Sequence, residues 1–122
     1  EKTIPLLTQR LNEGKLIALV ADRDMSRNGI EVDFLGAVAK MPAGPAILAI
    51  TTGAPLVTAY IRYTDKGIKV IFDKTVVVPD SGSEDEKVRV VTQSMADNFA
   101  KHIKESPVDW HMLQRIWIDE EK

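Results

Sequence analysis

Asp22-Arg23-Asp24 places two carboxylates one residue apart, directly behind the apolar run Leu16-Ile17-Ala18-Leu19-Val20-Ala21. Such a pair at a strand end could hold a divalent cation against a phosphate. It could equally be a solvated strand end whose acids are neutralised by Arg23 or Arg27, or serve another polar role in a site. Spacing alone leaves these open. Glu31 and Asp33 flank Val32, so they share one face of an extended piece while Ile30, Val32 and Phe34 take the other. A carboxylate there could orient a catalytic imidazole or bind a sugar hydroxyl, or form the polar face of an edge strand. Met41-Pro42-Ala43-Gly44-Pro45 opens a helix. Its first N–H groups could receive an anion or a carbonyl oxygen, or the pattern is simple helix-start chemistry.

The histidines are His102 and His111. His102 falls at the margin of an amphipathic helix, where a surface position is expected. His111 lies between Trp110 and Met112, and is expected to be packed and hydrogen-bonded. Neither has an acid at the spacing of an acyl-transfer dyad, since position 107 is Pro and position 116 is Ile. The sequence contains no cysteine, which excludes a disulfide framework, a zinc–cysteine site and thiol catalysis within it. No Gly-x-Ser-x-Gly and no phosphate-binding glycine loop occurs.

These residues need a scaffold, and the composition supplies one. With 122 residues, 44% hydrophobic and 28% charged, the chain is a single globular unit. A net charge of −2 gives no electrostatic case for nucleic acid. No apolar run approaches the roughly 18 residues of a membrane span. The chain opens Glu1-Lys2-Thr3 without Met, so it is expected to be part of something longer. Thr3, Pro5 and the spacing of Ile4, Leu7 and Leu11 predict a first helix ending at Gly14. Leu16–Ala21 does not alternate and reads as a strand buried on both faces in a parallel sheet. Residues 22–41 read as a long connection holding a short extended piece. A helix from Pro45 to about Thr52, stopped by Gly53, leads to a strand over Leu56–Tyr63. Asp65-Lys66-Gly67 turns it into a second strand ending at Phe72, with Thr75–Val78 extending the sheet. Ser83 and Glu86 form a capping box before a helix reaching about Glu105, its stripe being Val88, Val91, Met95, Phe99 and Ile103. Residues 109–117 read as a last helical segment. The order predicts an α/β fold in which Leu16–Ala21, the Pro45–Thr52 helix and Leu56–Tyr63 form a right-handed crossover unit.

The motifs are more specific together than apart. Ala21-Asp22-Arg23-Asp24 comes first, followed by Gly29-Ile30-Glu31-Val32-Asp33-Phe34-Leu35-Gly36 and Met41-Pro42-Ala43-Gly44-Pro45-Ala46. Thr52-Gly53-Ala54-Pro55-Leu56 and Asp109-Trp110-His111-Met112-Leu113-Gln114 complete the set. In this order they resemble the phosphatidylinositol mannoside acyltransferases, which are similar to the lauroyl and myristoyl acyltransferases of lipid A biosynthesis. The likeness covers essentially the whole chain. It implies the C-terminal portion of a glycerolipid-acyltransferase-like, three-layer α/β/α fold with a mixed, mainly parallel sheet. It implies transfer of a long fatty acyl chain from acyl-CoA, as co-substrate, to a mannose hydroxyl of a membrane glycolipid. No tightly bound cofactor and no metal are expected. The implied setting is peripheral, on the cytoplasmic face of the plasma membrane.

In that family a His-x4-Asp motif deprotonates the acceptor and a glutamate partners the histidine. Glu31 is the best match to that glutamate, with Asp22, Arg23, Asp24, Asp33 and Pro45 as substrate-binding candidates. The His-x4-Asp motif is absent from residues 1–122. The chain alone is therefore expected to be inactive, and to self-associate through surfaces its missing half would cover. Two other readings stand beside this one. One is a non-catalytic α/β interaction module. The other is a metal-dependent sugar or phosphate enzyme built on Asp22 and Asp24.

Overall fold

Val88, Val91, Met95, Phe99 and Ile103 recur at helical spacing, and the computed structural model buries all five on one side of a 22-residue helix. It describes residues 2–24 and 28–118. In chain order the elements are α1 (Thr3–Asn12), β1 (Ile30–Phe34), β2 (Ala37–Met41), α2 (Gly44–Thr52), β3 (Ala59–Thr64), β4 (Gly67–Phe72) and α3 (Glu84–Glu105). A single 3₁₀ turn follows at Pro107–Asp109. The expected start of α3 is confirmed: the Glu86 backbone N–H donates to Ser83 Oγ at 3.2 Å, and three acids fill the first turn.

The chain is mixed α/β. Its described strands form two separate antiparallel hairpins, β1–β2 and β3–β4. The first lies inside what the sequence suggested was a long connection. Leu35 and Gly36 form its two-residue turn with φ of 54° and 89°. Two successive positive φ angles match the twist of a tight hairpin, although only Gly36 adopts one freely. Val32 and Phe34 turn inward onto α3 while Glu31 and Asp33 face out, as alternation required. Gln93 of α3 then clamps β1. Its Oε1 accepts the Asp33 backbone N–H and its Nε2 donates to the Asp33 carbonyl, both at 2.9 Å.

The second hairpin follows expectation closely. Asp65 and Lys66 make its turn. The pairing continues past the formal strands, with the Asp73 N–H donating to Thr58 O and the Val76 N–H to Leu56 O. Its outer face is apolar: Ala59 pairs Phe72, Ile61 pairs Val70 and Tyr63 pairs Ile68, all exposed. α2 starts at Gly44 with Pro45 in its first turn and ends at Gly53, whose φ is 72° and whose N–H donates to Ala49 O.

Three expectations fail. Leu16–Ala21 is not a strand, and parallel pairing is not formed among the described residues. Leu16 is 94% exposed and Val20 75%. A strand exists only with a hydrogen-bonding neighbour, and no described segment supplies one here. Residues 110–118 are irregular rather than helical, with a bend at Gln114 and a bridging residue at Trp117. Trp110 and Trp117 both contact Phe34, at centroid distances of 5.8 and 6.3 Å. The bend at Gln114 brings both indoles onto Phe34 and to within 6.2 Å of each other. The tail then lies along β2, with Trp117 bridging Ala39 and the Ile118 N–H donating to Val38 O at 2.8 Å. At the other end, α1 begins at Thr3 itself, and no side chain caps it.

Phe34 is 1% exposed and lies between the two tryptophans and α3. Phe34→Ala is expected to cost about 3–5 kcal/mol. Val38→Ala, on the outer face of the same hairpin, should cost well under half as much. Urea unfolding followed by tryptophan emission checks both.

Candidate functional site

The residues that could do chemistry separate into three places. The first is a cavity of about 580 Å³. One wall is the segment from Leu16 to Asp22; another is Val57, Ala59 and Ile61 on β3 and the residues leading into it; Met95, Phe99 and Ile103 of α3 contribute their apolar side chains. Pro45 of α2 reaches the same space. Polar groups gather through Asp22, Tyr60, Asp109 and His111. Trp110 Nε1 donates to Asp22 Oδ2 at 3.1 Å, tying the end of that segment to the C-terminal tail.

The electrostatics of this polar group are set by short-range bonds. Ser106 Oγ donates to Asp109 Oδ2, and the Tyr63 backbone N–H donates to Asp109 Oδ1 at 3.2 Å. These bonds hold the Asp109 carboxyl below the ordinary carboxylate range, with Arg62 and His111 assisting and desolvation opposing. Tyr60 is pushed the other way, by burial first and then by the negative charge of Asp109. Its hydroxyl therefore stays protonated at neutral pH and donates to the Ser106 carbonyl at 3.0 Å.

The second place lies behind Tyr60. His102 is 3% exposed, which corrects the surface position expected of it. Its ring stacks on Tyr60 at 5.4 Å and 15°. An ionised carboxylate only accepts, so His102 Nε2–H donates to Asp73 Oδ1, at 2.8 Å. Thr58 Oγ1 donates to Asp73 Oδ2 at 2.7 Å, and Asn98 Nδ2 donates to Thr58 Oγ1 at 2.9 Å. Helical spacing missed His102 because it borders the stripe that ends at Ile103. Asp73 follows β4 directly, so a polar partner across the hairpin was the available signal. His111 reverses the other way: expected to be packed, it is exposed at the cavity.

The third place is the outer face of β1. Glu31 and Asp33 are both exposed there. The Glu31 carboxylate makes no hydrogen bond or ion pair with any described residue, and Asp33 is held through its backbone by Gln93. Of the substrate-binding candidates, the fold thus brings Asp22 and Pro45 to the large cavity. Asp24 lines a separate pocket of about 230 Å³ with Lys40, Gln114 and Arg115. Arg23, Glu31 and Asp33 line neither. Arg27 lies outside the described residues. Among the described residues no group of three or more His, Asp and Glu could hold a metal ion, and no helix is long and apolar enough to cross a membrane.

Residues 1–118 match the family model of the bacterial lipid A biosynthesis acyltransferases. The chain belongs to that family. Within it, the sequence is 42% identical over 113 residues to the phosphatidylinositol mannoside acyltransferase of Mycolicibacterium smegmatis, covering 93% of this chain and 36% of the relative. It is 39% identical over 113 residues to that of Mycobacterium tuberculosis, covering 93% of this chain and 34% of the relative. The chain spans about a third of the length of the curated relatives it matches. The resemblance read from the motifs is therefore confirmed at the level of family and relatives. Asp22, Pro45 and Glu31, which the family likeness singled out together, occupy two different faces of this part of an acyltransferase-family protein.

Asp73 gives a pH dependence. Burial pushes its carboxyl up, but the hydrogen bonds from Thr58 and His102 and the charges of His102 and Lys101 outweigh it, so the net shift is downward. A depressed carboxylate contributes stability that is present above its unfolded value and lost as pH falls through the folded one. The chain should therefore lose stability below about pH 4. Asp73→Asn should cost about 1.5–3 kcal/mol at pH 5 and flatten that acid limb. Urea midpoints between pH 2.5 and 6, taken on both proteins, are the measurement; parallel limbs would remove Asp73 as the cause.

Proposed function

We propose that this chain is part of a longer acyltransferase that moves a long fatty acyl chain from acyl-CoA to a mannose hydroxyl of a phosphatidylinositol mannoside. The observation that carries the reading is identity of about 40% with two mycobacterial phosphatidylinositol mannoside acyltransferases, spread over 93% of the chain. In this reading the protein works peripherally on the cytoplasmic face of the plasma membrane, with acyl-CoA as co-substrate and no resident cofactor. Leu16–Ala21 becomes a strand of a mixed, mainly parallel sheet in a three-layer fold.

Glu31 is the proposed partner of the catalytic histidine. Its carboxylate is exposed and uncommitted among the described residues, as a group awaiting a partner from elsewhere should be. It would accept the imidazole N–H, fix the tautomer that deprotonates the acceptor hydroxyl, and stabilise the imidazolium that results. Asp22 and Pro45, with Arg23, Asp24 and Asp33 nearby in sequence, remain the proposed substrate contacts.

Two measurements test this. The isolated chain should show no transfer from a long-chain acyl-CoA to a mannosylated phosphatidylinositol, because general-base catalysis worth about 10²–10⁴-fold is missing. In the full-length protein Glu31→Gln should cut turnover by roughly 10²-fold or more and leave acyl-CoA binding nearly unchanged. Near-normal turnover with Glu31→Gln, and loss with Asp33→Asn, would show that the other carboxylate of the pair is the partner.

The isolated chain is further proposed to self-associate. The outer face of the β3–β4 hairpin and the segment around Leu16 are apolar and exposed. Light scattering at micromolar concentration should give a mass above 13.5 kDa; a clean monomer would overturn this.

A further inference from the structure

Two unpaired backbone edges border the large cavity. On β3, hydrogen bonds from Asp73 to Thr58 and from Val76 to Leu56 show that the even-numbered residues direct their N–H and C=O groups toward β4. The odd-numbered ones direct theirs to the opposite edge. Tyr63 confirms this, since its N–H leaves the hairpin to meet Asp109. Ala59 and Ile61 line the cavity, and no described residue hydrogen-bonds their N–H groups. Across the cavity, Leu16–Ala21 is in neither helix nor strand and makes no hydrogen bond to any described residue. The segment is anchored at both ends: the Lys15 N–H donates to Arg10 O, and Asp22 accepts from Trp110.

We infer that this cavity is the slot for one β-strand of the longer protein, inserted between Leu16–Ala21 and β3 and hydrogen-bonded to both. Unpaired backbone bordering an apolar space is costly, and a strand satisfies both edges at once. A fatty chain would fill the volume but offers neither donor nor acceptor. The occupant comes from the part of the protein outside residues 1–122, since the relatives are about three times as long. Met95, Phe99 and Ile103 line the slot with apolar side chains, so the incoming segment is an uninterrupted apolar run of about five or six residues. Its insertion joins Leu16–Ala21 and the β3–β4 hairpin into one sheet.

This inference rests on the reading of the chain as part of a longer acyltransferase, but its test does not use activity. Amide hydrogen exchange is compared between the 122-residue chain and the full-length protein, without acyl-CoA. The amides of Ala59, Ile61 and the Leu16–Ala21 segment should slow by orders of magnitude in the full-length protein. Equal exchange in the two, or slowing only when a long-chain acyl-CoA is added, overturns the inference and makes the cavity a ligand site. A second arm places single cysteines at Ala18 and Ala59 in the full-length protein. Strands separated by one intervening strand stand about 9.6 Å apart, beyond the roughly 7 Å that a disulfide spans. No bond should form on mild oxidation, and ready formation would show direct pairing and overturn the slot. Amide protection in a full-length protein that transfers no acyl chain would uphold the strand while removing the acyltransferase reading.

Discussion

Burial of the α3 stripe organises this chain. Val88, Val91, Met95, Phe99 and Ile103 form the one continuous apolar surface against which β1, α2 and the Pro107–Asp109 turn are placed. Its strength lies in length: six turns of helix present enough apolar area to hold short elements that could not persist alone. The specificity comes from polar contacts along its borders. Gln93 fixes the edge of β1 as a neighbouring strand would, and His102 fixes the end of the second hairpin through Asp73. The first hairpin is thus docked by an apolar face and clamped by Gln93, and the second is tied to α3 through the Asp73–His102 hydrogen bond.

The parts of the fold legible in sequence are those whose signals are local. The Ser83 cap, the Gly53 stop, the Asp65-Lys66 turn and the α3 stripe each follow from a few neighbouring residues. Alternation across Ile30–Phe34 gave the facing of β1 correctly. It did not give the return strand, because Leu35 is an uncommon residue for a positive φ and carries no turn signature. Leu16–Ala21 and the C-terminal tail were misread for a shared reason. Apolar residues in a row report that burial is needed without saying what supplies it. The tail finds Phe34 and β2 within this chain; Leu16–Ala21 finds no strand partner among the described residues.

The site was legible in a different sense. Sequence motifs identified the family, and the family assigned interest to Asp22–Asp24, Glu31, Asp33 and Pro45. Periodicity could never have grouped them, because the distance between β1 and the cavity is set by how both hairpins sit on α3. His102 shows the converse. One register step from the stripe was enough to suggest solvent, yet Asp73, Thr58, Asn98 and the Tyr60 ring enclose it. A buried histidine of this kind depends on a partner 29 residues away and a ring on β3, which no local pattern encodes.

The two tryptophans have a practical consequence. Trp110 and Trp117 lie 6.2 Å apart, nearly perpendicular, in a three-ring cluster with Phe34, and they are the only indoles in the sequence. Transition dipoles at that separation couple, so the near-ultraviolet dichroism of the chain reports one cluster rather than an average over the molecule. Trp117 donates its indole N–H to a backbone carbonyl of β1, a fixed partner. Trp110 donates to Asp22, at the end of the segment that borders the cavity. Any event that draws Asp22 away breaks the hydrogen bond of Trp110 and leaves that of Trp117 in place. The protein thus carries an intrinsic optical gauge of that segment's position, with no label required.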